Sequence, residues 1–183
     1  YGVGNLGSLA SILRNLGFGI SIIHTPNDLD TVSIVILPGV GSFGPCIDSL
    51  TKSKLKPSIK KWAKAGNKVV GICIGMQLLA TSSEENGLNK GLNLIPGTVR
   101  RIGRQTTHIG WNKLCFTQNI QSFENFQNKL FYFNHGYVLN TDTQFQLATS
   151  EFTENIVAII RKNNIWGIQF HPENSQQNGL TLL

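Results

Sequence analysis

The stretch Gly71-Ile72-Cys73-Ile74-Gly75-Met76-Gln77 follows Lys68-Val69-Val70 and leads into Leu78-Leu79-Ala80. Lys68 to Ile72 reads as a short strand buried on both faces, and Gly75 to Ser83 as the helix after it. A cysteine at such a junction, with a glycine two places away on each side, has the pattern of a nucleophile elbow. The sharp turn leaves little room for neighbouring side chains, hence Gly71 and Gly75, and it lifts the middle side chain out of the sheet. Cys73 then stands at a helix N-terminus, where the backbone dipole favours a thiolate. The plain alternative is a cysteine packed in the core, the commonest fate of that residue type. Cys46 and Cys115 lack this strand–elbow–helix context and read as packing residues.

Outward from this point, strands and helices alternate. Leu6, Leu9, Leu13 and Leu16 recur at helical spacing, and Gly17 follows as at a helix C-cap. Ile20 to Ile23 suggests a strand, and Val32 to Leu37 a buried one that ends in the glycine-rich turn Pro38-Gly39-Val40-Gly41-Ser42-Phe43-Gly44. Helical sequence runs on to about residue 65, interrupted at Pro57. The second half is strand-rich: Val99–Ile102, Leu114–Phe116, Leu130–Leu139, Phe145–Ala148, Ile156–Arg161 and Ile165–Phe170, with Lys162-Asn163-Asn164 as a hairpin turn. The expected fold is therefore α/β: a mostly parallel central sheet flanked by helices, with an additional antiparallel strand portion. One domain over 1–183 is expected. It would lack its first strand and its C-terminal end, because the chain opens on a turn and closes on the start of a helix.

Composition narrows the function classes. The chain is 40% hydrophobic and 14% charged, ordinary globular material, and no apolar run approaches the roughly 20 residues a membrane span needs. Three scattered cysteines make no disulfide scaffold and no CxxC pair, so no metal or cofactor is expected and a reducing, cytoplasmic setting fits. The net charge of +6 is carried partly by Lys56, Lys60 and Lys64, which share one helical face and read as solvated, and partly by Arg100, Arg101 and Arg104. Few aromatics interleave with either cluster and no nucleic-acid motif is present, which argues against nucleic acid as a partner.

A thiolate nucleophile needs a base. His171 lies in Gly167-Ile168-Gln169-Phe170-His171-Pro172-Glu173, where Pro172 stops an apolar strand. Residues two apart in an extended run face the same side, so Glu173 can hold one ring nitrogen while the other faces Cys73. A solvated histidine at a strand end is the plain alternative. His135, in Asn134-His135-Gly136-Tyr137, is the rival base, and His108 reads as a structural or contact residue. Attack on a carbonyl also needs donors for the oxyanion. The elbow places the Ile74 N–H there, and the Gly39-Val40-Gly41 loop is the natural source of a second, from Val40.

Four segments now stand in order: ILPGVGSFG (36–44), GICIGMQLL (71–79), HIGWN (108–112) and GIQFHPE (167–173). Together they resemble the triad (class I) glutamine amidotransferases. The likeness covers nearly the whole chain and is closest to members paired with a (β/α)8-barrel cyclase in a heterodimer. The resemblance implies that Cys73 attacks the side-chain amide of glutamine, that His171 shuttles the proton and that Glu173 orients His171. It implies that Gly41 and Gln77 hold glutamine, and that ammonia passes to the cyclase. Trp111 and the cluster Arg100, Arg101 and Arg104 are the residues expected to face that partner.

The chain departs from the family pattern at two places. Asn174 stands where a lysine commonly follows HPE, and the resemblance implies that a cross-subunit ion pair would be lost there. Gly136 stands where the family often has serine or threonine, and the resemblance implies that a hydroxyl near the glutamine site would be lost. Three alternatives stay open at this point: a paralogue feeding ammonia to another amidating enzyme, a cysteine hydrolase acting on peptide-like bonds, and a non-catalytic binding module.

Overall fold

The structure, a computed structural model, describes residues 6–103, 107–118 and 120–183. The turn over residues 1–5 and Arg104 lie outside the described residues.

Helix α1 (Leu6–Asn15) ends as its leucine spacing predicts, with Gly17 in the left-handed region at φ 91°. Strand β1 (Ile34–Leu37) follows, then α2 (Phe43–Lys52) and α3 (Leu55–Lys64). The helix break falls at Ser53–Lys54, where Lys54 takes φ 60°, and not at Pro57. Pro57 occupies the third position of α3, where the backbone N–H has no intrahelical partner and proline costs little. Strand β2 (Lys68–Ile72) matches the expected limits, but the helix after the elbow, α4, is only Ile74–Leu78. The chain then turns through short β3 (Ser82–Ser83) and β4 (Asn89–Lys90), because Leu92, Leu94 and Ile95 close back onto Leu78 and Leu79 through backbone hydrogen bonds.

The rest is strand: β5 (Thr98–Arg101), β6 (His108–Lys113), β7 (Cys115–Phe116), β8 (Leu130–His135), β9 (Tyr137–Asn140), β10 (Gln146–Glu151), β11 (Asn155–Lys162) and β12 (Ile165–Ile168), before a closing helix α5 (Gln176–Leu182). The central sheet has the order β1-β2-β12-β11-β10-β7. β1, β2 and β12 are parallel; β11, β10 and β7 extend them antiparallel. The α/β fold with an added antiparallel portion is as expected, and here that portion matches the parallel one in strand number. Asn163, at φ 55°, and Asn164 form the expected two-residue hairpin between β11 and β12.

One further sequence expectation fails, and one strand was not anticipated. Ile20 to Ile23 forms no strand: Ile20 is partly buried against Leu9 and Leu13 of α1, Ile23 against the main core, and Ile22 is exposed. Strand β6 had no alternating apolar pattern to announce it. Its register is fixed by pairing with β8, from His108↔His135 to Lys113↔Leu130, and Gly110 takes φ 137° within it.

Alternation sorts the core. Val35 and Leu37 of β1 join Val69 of β2 against α2 and α3, while Ile36 and Ile72 face α1 with Leu9 and Leu13. Phe43 is wholly buried at the start of α2, worth about 2–3 kcal/mol of apolar burial, and anchors the turn that precedes it. A second core of Phe131, Phe133, Phe170 and Ala158 joins β8 to the antiparallel half of the sheet. That packing carries the β8 end to the mouth of the elbow. A separate apolar cleft of about 940 Å³ runs beside β1, lined by Leu9, Ile20, Ile36 and Ile168, and holds none of the candidate site residues.

Candidate active site

The elbow is formed by close backbone approach. A Cβ at Gly71 would lie 2.4 Å from the Gly75 carbonyl oxygen, and one at Gly75 would lie 1.9 Å from that of Leu37. Cys73 itself takes φ 52° and ψ −111°. For a side chain with a Cβ that conformation costs on the order of 1–3 kcal/mol, borne by the packing around it. Gly39 presses on the same turn: a Cβ there would meet Ile72 O at 1.9 Å and Cys73 Cβ at 2.8 Å. The loop carrying Val40 and Gly41 therefore passes directly beside the nucleophile position, with Gly41 at φ 124°.

His171 and Glu173 come from the segment after β12. The His171 N–H donates to Tyr132 O at 2.8 Å, and Ser175 Oγ donates to His171 O at 2.6 Å while accepting from the Tyr132 N–H at 2.9 Å. Those three bonds fix the histidine backbone to β8. His171 Nδ1 is then 2.9 Å from Glu173 Oε1, with both side chains more than nine-tenths buried. Burial opposes a charged imidazole. Hydrogen bonding and charge from the Cys73 and Glu173 side chains outweigh it and push the His171 pKa well above its ordinary value. The structure thus brings Cys73, His171 and Glu173 into one buried constellation.

The rival histidine is built differently. His135 is buried, and its Nδ1 pairs with Tyr137 O at 2.9 Å. Burial lowers its pKa to about 3, so the ring stays neutral and is a poor proton acceptor at pH 7. His108 is stacked between Phe133 and Phe152, with centroids at 4.5 and 4.3 Å, and burial lowers its pKa to about 4. It is a structural residue, as the sequence suggested. Arg100 is ion-paired with Glu154, and Arg101 lies 6.0 Å over the Tyr137 ring, so both have partners within the chain.

Gln77, one turn past the cysteine, is 2% exposed. Its Nε2 donates to Tyr137 O at 2.9 Å and to Gln169 Oε1 at 3.1 Å, which uses both amide hydrogens. Gln77 Oε1 remains as the acceptor. Two residues escaped the sequence reading: Ser175, and the wholly buried Gln169, whose Nε2 lies 3.8 Å from Cys73 Sγ. The extended run expected through Glu173 is not formed: β12 ends at Ile168 and Pro172–Asn174 is a 3-10 turn, and it is that turn which brings Glu173 back to the His171 ring. Among the described residues no group of three or more His, Cys, Asp or Glu is placed to hold a metal ion, and no helix is long and apolar enough to cross a membrane.

Arranged this way, the residues set a cysteine sulfur beside a histidine that is hydrogen-bonded to a carboxylate, with the glycine-rich loop against the same turn. That set suits acyl transfer from an amide.

The chain is 39% identical to the imidazole glycerol phosphate synthase subunit HisH of Halalkalibacterium halodurans, over all of this chain and 90% of that one. It is 37% identical to the chloroplastic imidazole glycerol phosphate synthase hisHF of Arabidopsis thaliana, again over its whole length, but spans only 32% of that longer protein. Among solved structures, PurLQS from Thermotoga maritima superposes with a TM-score of 0.79 at 19% identity, over all of this chain and 92% of that one, a likeness of fold alone. The sequence profile of the family described as Glutamine amidotransferase class-I matches residues 1–182, and the chain belongs to that family.

Proposed function

We propose that this chain is the glutaminase subunit of an imidazole glycerol phosphate synthase in histidine biosynthesis. It hydrolyses glutamine to glutamate and ammonia through a thioester on Cys73 and passes the ammonia to a (β/α)8-barrel cyclase. The bacterial HisH relatives, matched over about nine-tenths of their length, support the subunit assignment, and the longer plant hisHF protein supports a partner acting in tandem.

The observation that carries the chemistry is the buried His171–Glu173 pair at 2.9 Å, with the Cys73 side chain as the other partner of His171. The Cys73 thiolate attacks the glutamine side-chain carbonyl carbon, and the C–O π electrons move to oxygen. The backbone N–H groups of Ile74 and Val40 receive the oxyanion. On collapse the C–N bond breaks, and protonated His171 gives its proton to the leaving nitrogen, releasing ammonia. Water, deprotonated by the now neutral His171, attacks the thioester. The C–S bond breaks, glutamate leaves, and sulfur and imidazole return to their starting charges. Glu173 holds His171 in register and stabilises its charged form in both halves. Gln77 Oε1 and the Gly41 backbone hold the glutamine head group.

Neutral ammonia is the useful product, and bulk water would protonate it, so direct transfer favours a docked acceptor enzyme. The β6–β8 ribbon suits the docking: Ile109 is 62% exposed, and Trp111 and Leu130 are exposed beside it. The same ribbon carries Asn134 and His135 to the elbow.

Ammonia release from glutamine, measured with and without the cyclase and against peptide amides, tests the reading. Glutamine-specific release stimulated by the cyclase is expected. Cleavage of peptide substrates without glutaminase activity would overturn it.

A further inference from the structure

We infer that Gln169 is a further catalytic residue, whose side-chain N–H is aimed at the Cys73 sulfur by a polarity relay from the glutamine pocket. The inference rests on the glutaminase reading of Cys73. The relay begins at the Tyr137 carbonyl, which can only accept. It fixes the Gln77 amide with its nitrogen inward, 2.9 Å away. The second Gln77 N–H then points at Gln169, which must turn its oxygen to meet it, at 3.1 Å. That leaves Gln169 Nε2 facing Cys73 Sγ at 3.8 Å. Flipping either amide would set donor against donor or acceptor against acceptor in a site closed to water, since Gln77 is 2% and Gln169 0% exposed. The amide polarity is therefore dictated by backbone.

The sulfur needs such a donor. Its other polar neighbour is the Asn134 carbonyl at 3.9 Å, which suits a thiol and repels a thiolate. The titratable groups facing it are His171, with Glu173 behind, and neutral His135 close by. Once His171 has given its proton to the leaving nitrogen it stays neutral until it takes one from water, so over that interval the charge of the sulfur's main partner is absent. Gln169 supplies a donor that does not titrate and is present in every step. Met76 and Ile160 around Gly167, where a Cβ would approach both within 2.8 Å, leave the strand no slack to move it.

The test uses the full chain and two variants, Gln169→Met and Gln169→Glu. The first removes the donor without adding charge; the second keeps an acceptor for Gln77 but sets a carboxylate in place of the donor beside the sulfur. Iodoacetamide alkylation of the Cys73 peptide, followed by mass spectrometry at pH 7, reads the nucleophile without substrate. Both variants are expected to alkylate about tenfold more slowly and to lose kcat for glutamine by a similar factor or more, with KM little changed. Urea unfolding midpoints identify variants that keep the fold, and Gln169→Glu carries the test if Gln169→Met does not. Wild-type alkylation rates in a folded variant that has lost activity would make Gln169 merely structural and overturn the inference. Absence of glutaminase in the wild-type complex would instead overturn the reading beneath it.

Discussion

His171 and Glu173 are separated by a single proline, and their side chains meet at 2.9 Å inside the protein. Pro172 opens a 3-10 turn, Pro172–Asn174, and Ser175 ties that turn to β8, so the pair is held by the backbone on both sides. A buried carboxylate in this position sets both the orientation and the charge of the imidazole. Glu173→Gln is expected to keep the fold and lower kcat by about a hundredfold or more, because the charge that supports protonated His171 is gone. Steady-state ammonia release against a urea unfolding curve separates the two effects.

The elbow glycines make a steric prediction. Gly75→Ala places a Cβ 1.9 Å from Leu37 O, a backbone atom that cannot step aside. Destabilisation of about 3 kcal/mol or more is expected by chemical denaturation. Gly136→Ser is the contrast, since its nearest neighbour would be Thr107 Oγ1 at 3.7 Å. Its stability should stay within about 0.5 kcal/mol of wild type, and any change in KM for glutamine then reports the added hydroxyl.

Acid should weaken the fold through its buried neutral histidines. His135 and His108 have pKa values lowered to about 3 and about 4, from 6.5. Below pH 6.5 the unfolded chain binds protons that the folded chain refuses. The stability these residues contribute is therefore complete above pH 6.5 and drains as pH falls towards 4 and 3. His108→Phe, which keeps the stack with Phe133 and Phe152, should flatten that decline. Urea midpoints at pH 7.5, 5.5 and 4.5 for both proteins check it, and parallel slopes would count against the assignment.

The exposed face of β6–β8 should matter to the partner and not to the fold. Ile109→Asp is expected to leave the unfolding midpoint unchanged, since Ile109 is 62% exposed. It should weaken cyclase binding about tenfold or more by calorimetry, as expected of a central apolar contact.

What the sequence revealed follows from how local each signal is. The strand Lys68–Ile72, the elbow and the Asn163-Asn164 hairpin are encoded within a few residues, by apolar runs and by residues suited to left-handed backbone. The length of α4 is not local. Leu78 and Leu79 look helical, but their carbonyls accept from Leu92, Leu94 and Ile95, so tertiary contacts end the helix early. Strand β6 exists because β8 pairs with it, and its own pattern of His108, Gly110 and Asn112 announces nothing. In the site, His171 and Glu173 stood out because acid–base residues draw notice. Gln169 carries no charge, and only the meeting of three distant segments shows what its amide faces.

The most direct measurement is on Cys73→Ala in complex with the cyclase. Synthesis driven by glutamine should vanish, while synthesis driven by added ammonium salts continues at the wild-type rate, because only the source of nitrogen has been removed. Equal loss of both activities would mean that Cys73 holds the structure together, and glutamine-driven synthesis that survives would mean that another group is the nucleophile.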